Sequence, residues 1–192
     1  MLLGELEVAL DVGRQLDALG IAWLVGGSVA SSILGEPRAT ADVDLVADLR
    51  GRHVSALFAA LGDAYYIDAD ATAAAVRSRG AFNVIQLSSM TKVDIYCSSD
   101  ELLGREELAR RIFVEVDGQR VPCASPEDII LQKLLWFVAG GRVSDRQWRD
   151  IRGVVRVQGT ALDRLYLERH ASSHGVLDLL RTALEPGGAT RP

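Results

Sequence analysis

Apolar residues near the start of the chain recur three and four positions apart, which predicts an amphipathic helix that ends near Gly20. The continuous apolar run over residues 21–25 predicts a buried strand. A turn at residues 26–28 follows, and then a short helix of small side chains. Pro37 ends that helix and favours an extended segment over residues 38–46.

The middle of the chain predicts two helices, two alternating strands and a hairpin. The helices lie near residues 52–61 and 69–78, and the strands at residues 82–87 and 92–97. Asp117-Gly118 is the dipeptide most typical of a two-residue hairpin turn, and it separates strands at residues 112–116 and 119–122.

Beyond Ser125 the pattern is helical only. Ser125-Pro126 and residues 144–147 are typical helix starts, because a serine at this position can cap free backbone N–H groups. Two more helices are predicted near residues 162–171 and 176–184.

This order of elements predicts an α/β (α+β) fold in which a mixed sheet is flanked by helices. We expect this core over residues 1–122 and a C-terminal helical subdomain over residues 123–185. The Gly- and Pro-rich residues 186–192 are expected to form a flexible tail.

Composition narrows the class of protein. The 192 residues are 48% hydrophobic and 24% charged, as in ordinary globular proteins, which excludes disordered, collagen-like and disulfide-scaffold classes. The net charge is −5, from 21 Lys+Arg against 26 Asp+Glu, which argues against a generally basic nucleic-acid coat protein. Cys97 and Cys123 lie in apolar contexts and are predicted to be buried free thiols.

The longest uncharged run has to be considered as a membrane segment. Residues 18–35 carry no charge, but seven of them are glycine or serine. A glycine pair in the middle favours a strand, a turn and a helix start over one continuous helix. Together with the lack of a signal-peptide pattern at the N-terminus, this predicts a cytoplasmic protein without membrane contact.

Two aspartates stand on the polar side of an otherwise apolar strand. Asp42 and Asp44 are two residues apart, so on a strand both side chains point to the same face, about 6.6 Å apart at Cα. Two carboxylates at this separation can bind one divalent cation between them or share a pair of cations. The alternative is a half-exposed strand whose solvated face carries the acids.

Two further features favour a binding site. A Gly-Gly-Ser turn that enters a helix presents backbone N–H groups at the positive end of the helix dipole, which suits a phosphate. Ser28 can cap that helix and donate its hydroxyl to the same phosphate. Asp94, beside Lys92 and Tyr96 in an alternating strand, is a third carboxylate on the polar side of a core strand.

These residues together resemble the nucleotidyltransferase superfamily of the DNA polymerase β type. The residues that carry the resemblance are Gly26-Gly27-Ser28, then after a gap of 13 residues Asp42-Val43-Asp44, and then Asp94 between apolar neighbours. The segment from Arg38 to Leu45 and the later helices are most similar to the branch of AbiEii-type toxin nucleotidyltransferases. The resemblance covers residues 23–46, 92–96 and the helices from 125 to about 180.

The resemblance implies a nucleotidyltransferase-type sheet, a Mg²⁺ cofactor and an NTP substrate. Asp42 and Asp44 would hold Mg²⁺ against the phosphates, and Asp94 would complete a second metal position and help deprotonate the attacking hydroxyl. Three clustered carboxylates would repel each other without a cation. The residues implied in nucleotide binding are Gly26, Gly27, Ser28, Arg38, Thr40 and Lys133.

Several residues have two interpretations. Lys133 either reaches a triphosphate oxygen or lays its stem over apolar surface. Arg38 and Thr40 either lie near the phosphates or hold the loop before the strand. Asp150 is explained by a catalytic role or by an ion pair with Arg146, four residues back on the same helix.

One predicted helix carries a stripe of arginines that meets either an RNA acceptor or only solvent. The stripe is Arg142, Arg146, Arg149, Arg152 and Arg156.

The sequence therefore predicts a Mg²⁺-dependent enzyme that moves a nucleotide from an NTP to an acceptor hydroxyl. The resemblance makes RNA, particularly a tRNA end, or a protein hydroxyl the leading acceptor classes. It also suggests a place in a toxin–antitoxin pair, with a cognate antitoxin or toxin as partner. The alternative is a non-catalytic nucleotide- or partner-binding module that retains the fold.

Overall fold

The structure, a computed structural model, describes residues 2–40 and 42–185, without the side chains of Leu2 and Leu3. The predicted tail at residues 186–192 and Ala41 in the predicted extended segment lie outside the described residues.

The described elements follow the predicted order closely. The helices are α1 (Leu2–Ala18), α2 (Gly27–Leu34), α3 (Val54–Leu61), α4 (Ala69–Ser78), α5 (Leu102–Ala109), α6 (Pro126–Ala139), α7 (Asp145–Gln158), α8 (Arg164–Ser173) and α9 (Leu177–Leu184). The strands are β1 (Trp23–Val25), β2 (Val43–Ala47), β3 (Tyr65–Ile67), β4 (Ala81–Gln86), β5 (Thr91–Cys97), β6 (Ile112–Val116) and β7 (Gln119–Cys123). The predicted mixed α/β fold is confirmed, and α5 and β3 are additions to it.

The chain folds into two units. Within the described residues, the first unit contains the chain up to Val29 and from Ala39 to Ala124, and the second contains Ala30–Arg38 and the chain from Ser125 to Glu185. The second half of α2 and the loop after it therefore belong with the C-terminal helices.

The first unit is built on a seven-stranded mixed sheet with the order β3-β4-β5-β2-β1-β7-β6. β2 runs antiparallel to β1 and parallel to β5, and β1 runs parallel to β7. Every position of β1 and β2 is buried, because these strands lie inside the sheet and α1 packs against both. The interpretation of β2 as a half-exposed strand is therefore wrong.

The hairpin between β6 and β7 is confirmed. Asp117 and Gly118 both have positive φ angles, 48° and 74°, as a two-residue turn of this kind requires. The turn fixes the register in which Val116 pairs with Gln119.

In the second unit, α6 packs against α7 and α8, and α9 packs against α7 and α8. The serines predicted to start α6 and α7 do so: Ser125 accepts a hydrogen bond from the N–H of Asp128, and Ser144 from that of Gln147. Among the described residues no helix is long and apolar enough to span a bilayer, and the uncharged run at residues 18–35 is divided by β1.

Candidate functional site

Two of the three predicted carboxylates lie side by side across neighbouring strands. Asp44 of β2 and Asp94 of β5 are Cα partners in a parallel pairing, so both leave the sheet at the same level. Asp44 is 9% exposed, and the Asp94 side chain is 20% exposed. Register between two parallel strands thus brings together acids that lie fifty residues apart in the sequence.

Asp42 lies just outside the strand on which it was predicted. β2 begins at Val43, and the Asp42 side chain is 63% exposed. The hydroxyl of Thr40 donates a hydrogen bond to the Asp42 carbonyl at 3.3 Å. Thr40 thus supports the backbone before the strand, in agreement with one of its two interpretations.

The glycine turn and Asp44 form one structural unit. Gly27 has a φ of +55°, and a Cβ on it would lie 1.7 Å from Asp44 Oδ2, so only glycine fits. The Gly26 N–H donates to the Asp44 carbonyl at 2.9 Å. The Ser28 N–H donates to Asp44 Oδ2 at 3.4 Å, which places this carboxylate at the N-terminus of α2.

This contact changes the interpretation of the turn. The first-turn N–H groups of α2 were expected to face a phosphate, but the N–H of Ser28 is directed to the protein's own Asp44. A carboxylate at a helix N-terminus is stabilised by the same partial positive charge as a phosphate. The geometry therefore joins the turn to the acidic site directly.

Lys92 provides a cation at this site. Its Nζ lies 2.8 Å from Asp94 Oδ2 and 3.9 Å from Asp42 Oδ1. The hydrogen bond to Asp94 and the charges of Asp94, Asp42 and Asp44 raise the pKa of Lys92. Burial and the same carboxylates raise the pKa of Tyr96, two residues beyond Asp94, to about 12.

The three carboxylates fit a divalent ion in their chemistry, and Lys92 lies among them. Carboxylate oxygens are the ligands that Mg²⁺ prefers. Within residues 2–40 and 42–185, no three His, Cys, Asp or Glu side chains are gathered closely enough to hold a metal. The ammonium contacts two of the three predicted ligands, so a metal here would have to take over contacts that Lys92 makes.

The predicted residues Arg38 and Lys133 belong to the second unit, where both contact Asp150. Arg38 donates two hydrogen bonds to the Asp150 carboxylate, at 2.7 Å from Nε and 2.8 Å from Nη2. Lys133 Nζ lies 2.8 Å from the same group and 3.2 Å from Gln147 Oε1.

This cluster contradicts one of the two earlier interpretations of Lys133 and one of those of Asp150. The side chains of Lys133 and Asp150 are only 2% and 4% exposed, so Lys133 does not extend over the surface to reach solvent. Burial alone would raise the pKa of Asp150, but hydrogen bonds from Arg38 and Lys133 and their charges outweigh it and lower that pKa. The interpretation of Asp150 as a helix-surface pair with Arg146 is wrong.

Part of the arginine stripe is engaged in packing. Arg152 donates to the carbonyls of Ala183 and Glu185 at the end of α9, and Arg156 pairs with Glu36. Arg146 and Arg149 are exposed on α7, whereas Arg142 lies in the turn before α7, so the prediction that it belongs to the same helix is wrong.

Sequence reasoning thus located Gly26, Gly27, Ser28, Asp42, Asp44 and Asp94 in one unit, and it missed the part that Lys92 and Tyr96 play beside them. The signal was present, because Lys92, Asp94 and Tyr96 alternate on one face of β5.

No known family profile and no curated protein matches the chain. Solved structures do match. The antibiotic-resistance factor ANT(2'')-Ia has a TM-score of 0.55 at 15% identity, covering 94% of this chain and 98% of that one. The lincosamide antibiotic adenylyltransferase LnuA has a TM-score of 0.53 at 15% identity, covering 80% and 96%.

A nucleotidyltransferase-like protein from Paracoccidioides brasiliensis has a TM-score of 0.50 at 19% identity, covering 94% of this chain and 92% of that one. The chain has a nucleotidyltransferase-type fold. At these identities the likeness establishes the fold, and the finer similarity to the AbiEii-type branch stays a prediction.

Proposed function

We propose that the protein is a Mg²⁺-dependent nucleotidyltransferase that transfers a nucleoside monophosphate from an NTP to an acceptor hydroxyl. The observation that carries this proposal is the register of Asp44 with Asp94, with Asp44 packed against Gly27 at the start of α2. A structural salt-bridge network would not require two acids side by side on buried strands, where like charges repel. The fold shared with nucleotidyltransferases supports the same conclusion.

In the proposed reaction the acceptor oxygen bonds to the α-phosphorus, the bond from that phosphorus to its bridging oxygen breaks, and pyrophosphate leaves. Asp42, Asp44 and Asp94 would hold Mg²⁺, which when bound neutralises charge on the phosphates. Asp94 would take the proton of the attacking hydroxyl, since its side chain is the more accessible of the two paired acids. Gly27 has no side chain, so the backbone of the turn would lie close to the phosphates, as it already lies close to Asp44.

Three acceptor classes are compatible with this chemistry. RNA, particularly a tRNA end, and protein hydroxyls follow from the resemblance to the AbiEii-type branch, which also suggests a toxin–antitoxin partner. A small-molecule hydroxyl follows from the structural neighbours, since LnuA is an antibiotic adenylyltransferase and ANT(2'')-Ia was solved with adenylyl-2''-tobramycin.

The test incubates the protein and Mg²⁺ with each NTP labelled at the α-phosphate. Total RNA, a protein lysate and a panel of aminoglycosides and lincosamides are offered separately as acceptors. We expect the wild type to transfer label to one of these acceptor classes and Asp44→Asn to transfer none. Asp178→Asn is the matched control, because that side chain is fully exposed at the start of α9. Transfer that persists in Asp44→Asn would contradict the metal assignment.

A second candidate is a nucleotide- or partner-binding module without turnover. It is favoured by Lys92, whose ammonium already neutralises the carboxylates that a metal would bind. Calorimetric binding of a non-hydrolysable NTP, with no label transferred to any acceptor, would favour this module over the enzyme.

A further inference from the structure

The first unit contains a cavity of about 370 Å³ between α1, the start of β1 and the β6–β7 hairpin. Its walls include three arginines and two aromatic rings: Arg14, Arg111, Arg120, Trp23 and Phe113. The volume lies within the range of small-ligand sites.

This cavity is separate from the acidic site. Trp23 stands at the beginning of β1, whereas Gly26 and Gly27 follow its other end. The hairpin lies on one side of β1 in the sheet, and β2 and β5 with their aspartates lie on the other. The cavity therefore belongs to a different part of the same unit.

The cavity wall is positively charged although the protein is acidic overall. The lining contains three arginines and one acid, Asp17, whose carboxylate already accepts a hydrogen bond from Trp23 Nε1 at 2.9 Å; Arg14 also pairs with Asp11 at 3.0 Å. Arg111 donates to the Leu108 carbonyl at 2.7 Å, which fixes its guanidinium. Guanidinium groups are the side chains that best match the oxygens of a phosphate.

Phe113 adds a flat apolar surface beside these charges. It is 48% exposed on the edge strand β6, and the Arg120 guanidinium carbon lies 3.9 Å from its ring centroid. Arg111 lies 6.0 Å from the same ring. Exposed aromatic rings and guanidinium planes are the surfaces on which nucleic-acid bases stack.

The opposite wall is rigid. A Cβ on Gly13 of α1 would lie 2.2 Å from the Trp23 ring, so the indole packs directly against the helix backbone. Trp23 is 4% exposed, and its hydrogen bond to Asp17 fixes the ring orientation. The Trp23 wall of the cavity is thus preformed, which lowers the entropy that is lost on binding.

We propose that this cavity binds a nucleotide unit, with the phosphate on Arg14, Arg111 and Arg120 and the base on Phe113. An acidic peptide would use the guanidinium groups but would leave the aromatic surface without a planar partner. The nucleotide comes either from a free mononucleotide or from a single strand, and both sources present the same phosphate and base.

The test measures binding of AMP and of fluorescein-labelled single-stranded hexaadenylate, with hexaglutamate as the acidic-peptide probe. All titrations contain EDTA and no triphosphate, so the result does not depend on the proposed transferase activity, and either proposal can fail without the other. AMP that binds as tightly as the strand identifies a free nucleotide as the source, and tighter binding of the strand identifies a nucleic acid. Both results support the proposal.

The variants distinguish binding in the cavity from general electrostatic attraction to the protein surface. We expect Arg120→Glu to weaken nucleotide binding about tenfold or more and to reduce its salt dependence. Arg77→Glu, the same charge change on exposed α4, should weaken it about twofold at most. Phe113→Leu, which leaves the charge unchanged, should weaken it about fivefold or more through lost stacking.

Three results would overturn the proposal: equal losses in Arg120→Glu and Arg77→Glu, no loss in Phe113→Leu, or binding of hexaglutamate as tight as that of the strand. Thermal melts followed by circular dichroism show whether each variant is folded, and both pocket side chains are exposed, so their loss leaves the core intact.

Discussion

Replacing Lys92 with methionine should tighten Mg²⁺ binding. The Lys92 ammonium lies 2.8 Å from Asp94 and 3.9 Å from Asp42, so it stands where a divalent ion would meet these carboxylates. A metal that binds there must break the ion pair and repel the displaced ammonium. Methionine keeps most of the apolar stem of the lysine but removes both obstacles.

The magnitude follows from the exposure and the charges. The Lys92 and Asp94 side chains are 42% and 20% exposed, so their pair is partly solvated and contributes no more than about 1 kcal/mol. An ammonium about 5 Å from a doubly charged ion, in a medium as polar as water, adds repulsion of about 1.7 kcal/mol. Because the displaced side chain can move into solvent, we expect a total of about 1–2 kcal/mol, or about fivefold to thirtyfold in Kd.

Isothermal titration of Mg²⁺ into the protein without nucleotide measures this Kd directly. Arg77→Met removes the same charge from an exposed site on α4 and should change the Kd less than about twofold. Adding Asp94→Asn to Lys92→Met should abolish the gain in Mg²⁺ affinity, since a carboxylate ligand of the metal is then lost. An unchanged or weaker Kd in Lys92→Met would refute the idea that the lysine competes with the metal.

Three further predictions concern stability and reactivity. Gly27→Ala should lower the free energy of unfolding in urea by about 2 kcal/mol or more, because alanine is strained in the left-handed backbone and its Cβ clashes with the Asp44 carboxylate. Gly26→Ala is the control: its Cβ would have its nearest contact at 3.7 Å, and it should lower the same free energy by less than about 1 kcal/mol. Asp150→Asn should cost about 3–5 kcal/mol because it removes the carboxylate that neutralises the buried Lys133, against about zero for Asp178→Asn. Since the folded pKa of Asp150 is lowered, this difference should hold from about pH 5 to 8 and shrink below about pH 4. Cys123, whose pKa burial raises to about 12, should resist iodoacetamide at pH 8 until the protein is unfolded, as mass spectrometry of the alkylated chain would show.

The parts of the fold that sequence predicted are those fixed by local rules. The hairpin follows from Asp117-Gly118, because only a few residues accept two consecutive positive φ angles. The starts of α6 and α7 follow from serine capping. The strand β3 was missed because it is only three residues long, which is too short for an alternating pattern to be detected.

Contacts between distant segments could not be predicted in the same way. Arg38 and Asp150 are separated by 112 residues, and a nearer arginine, Arg146, offered a simpler local partner for the acid. Two cations, Arg38 and Lys133, instead hold Asp150 in a buried site. A charge pair on one helix costs little to form in solvent, so spacing alone favours it. The true partners follow from tertiary contacts, the packing of α6 on α7 for Lys133 and the position of the segment after α2 for Arg38.

Gly27 has a structural role in the fold that differs from the role predicted for it. The turn that contains Gly27 was predicted to present backbone N–H groups to a phosphate, but the glycine itself is required because Asp44 Oδ2 occupies the space of its Cβ. The glycine by itself therefore gives no evidence for a nucleotide, since any fold with this contact would need it. The proposal depends instead on Asp44, a nearly buried carboxylate in register with Asp94, because two acids so placed repel unless a cation lies near them. Lys92 is the cation in this structure, and its exchange for Mg²⁺ is the step on which the proposed activity depends.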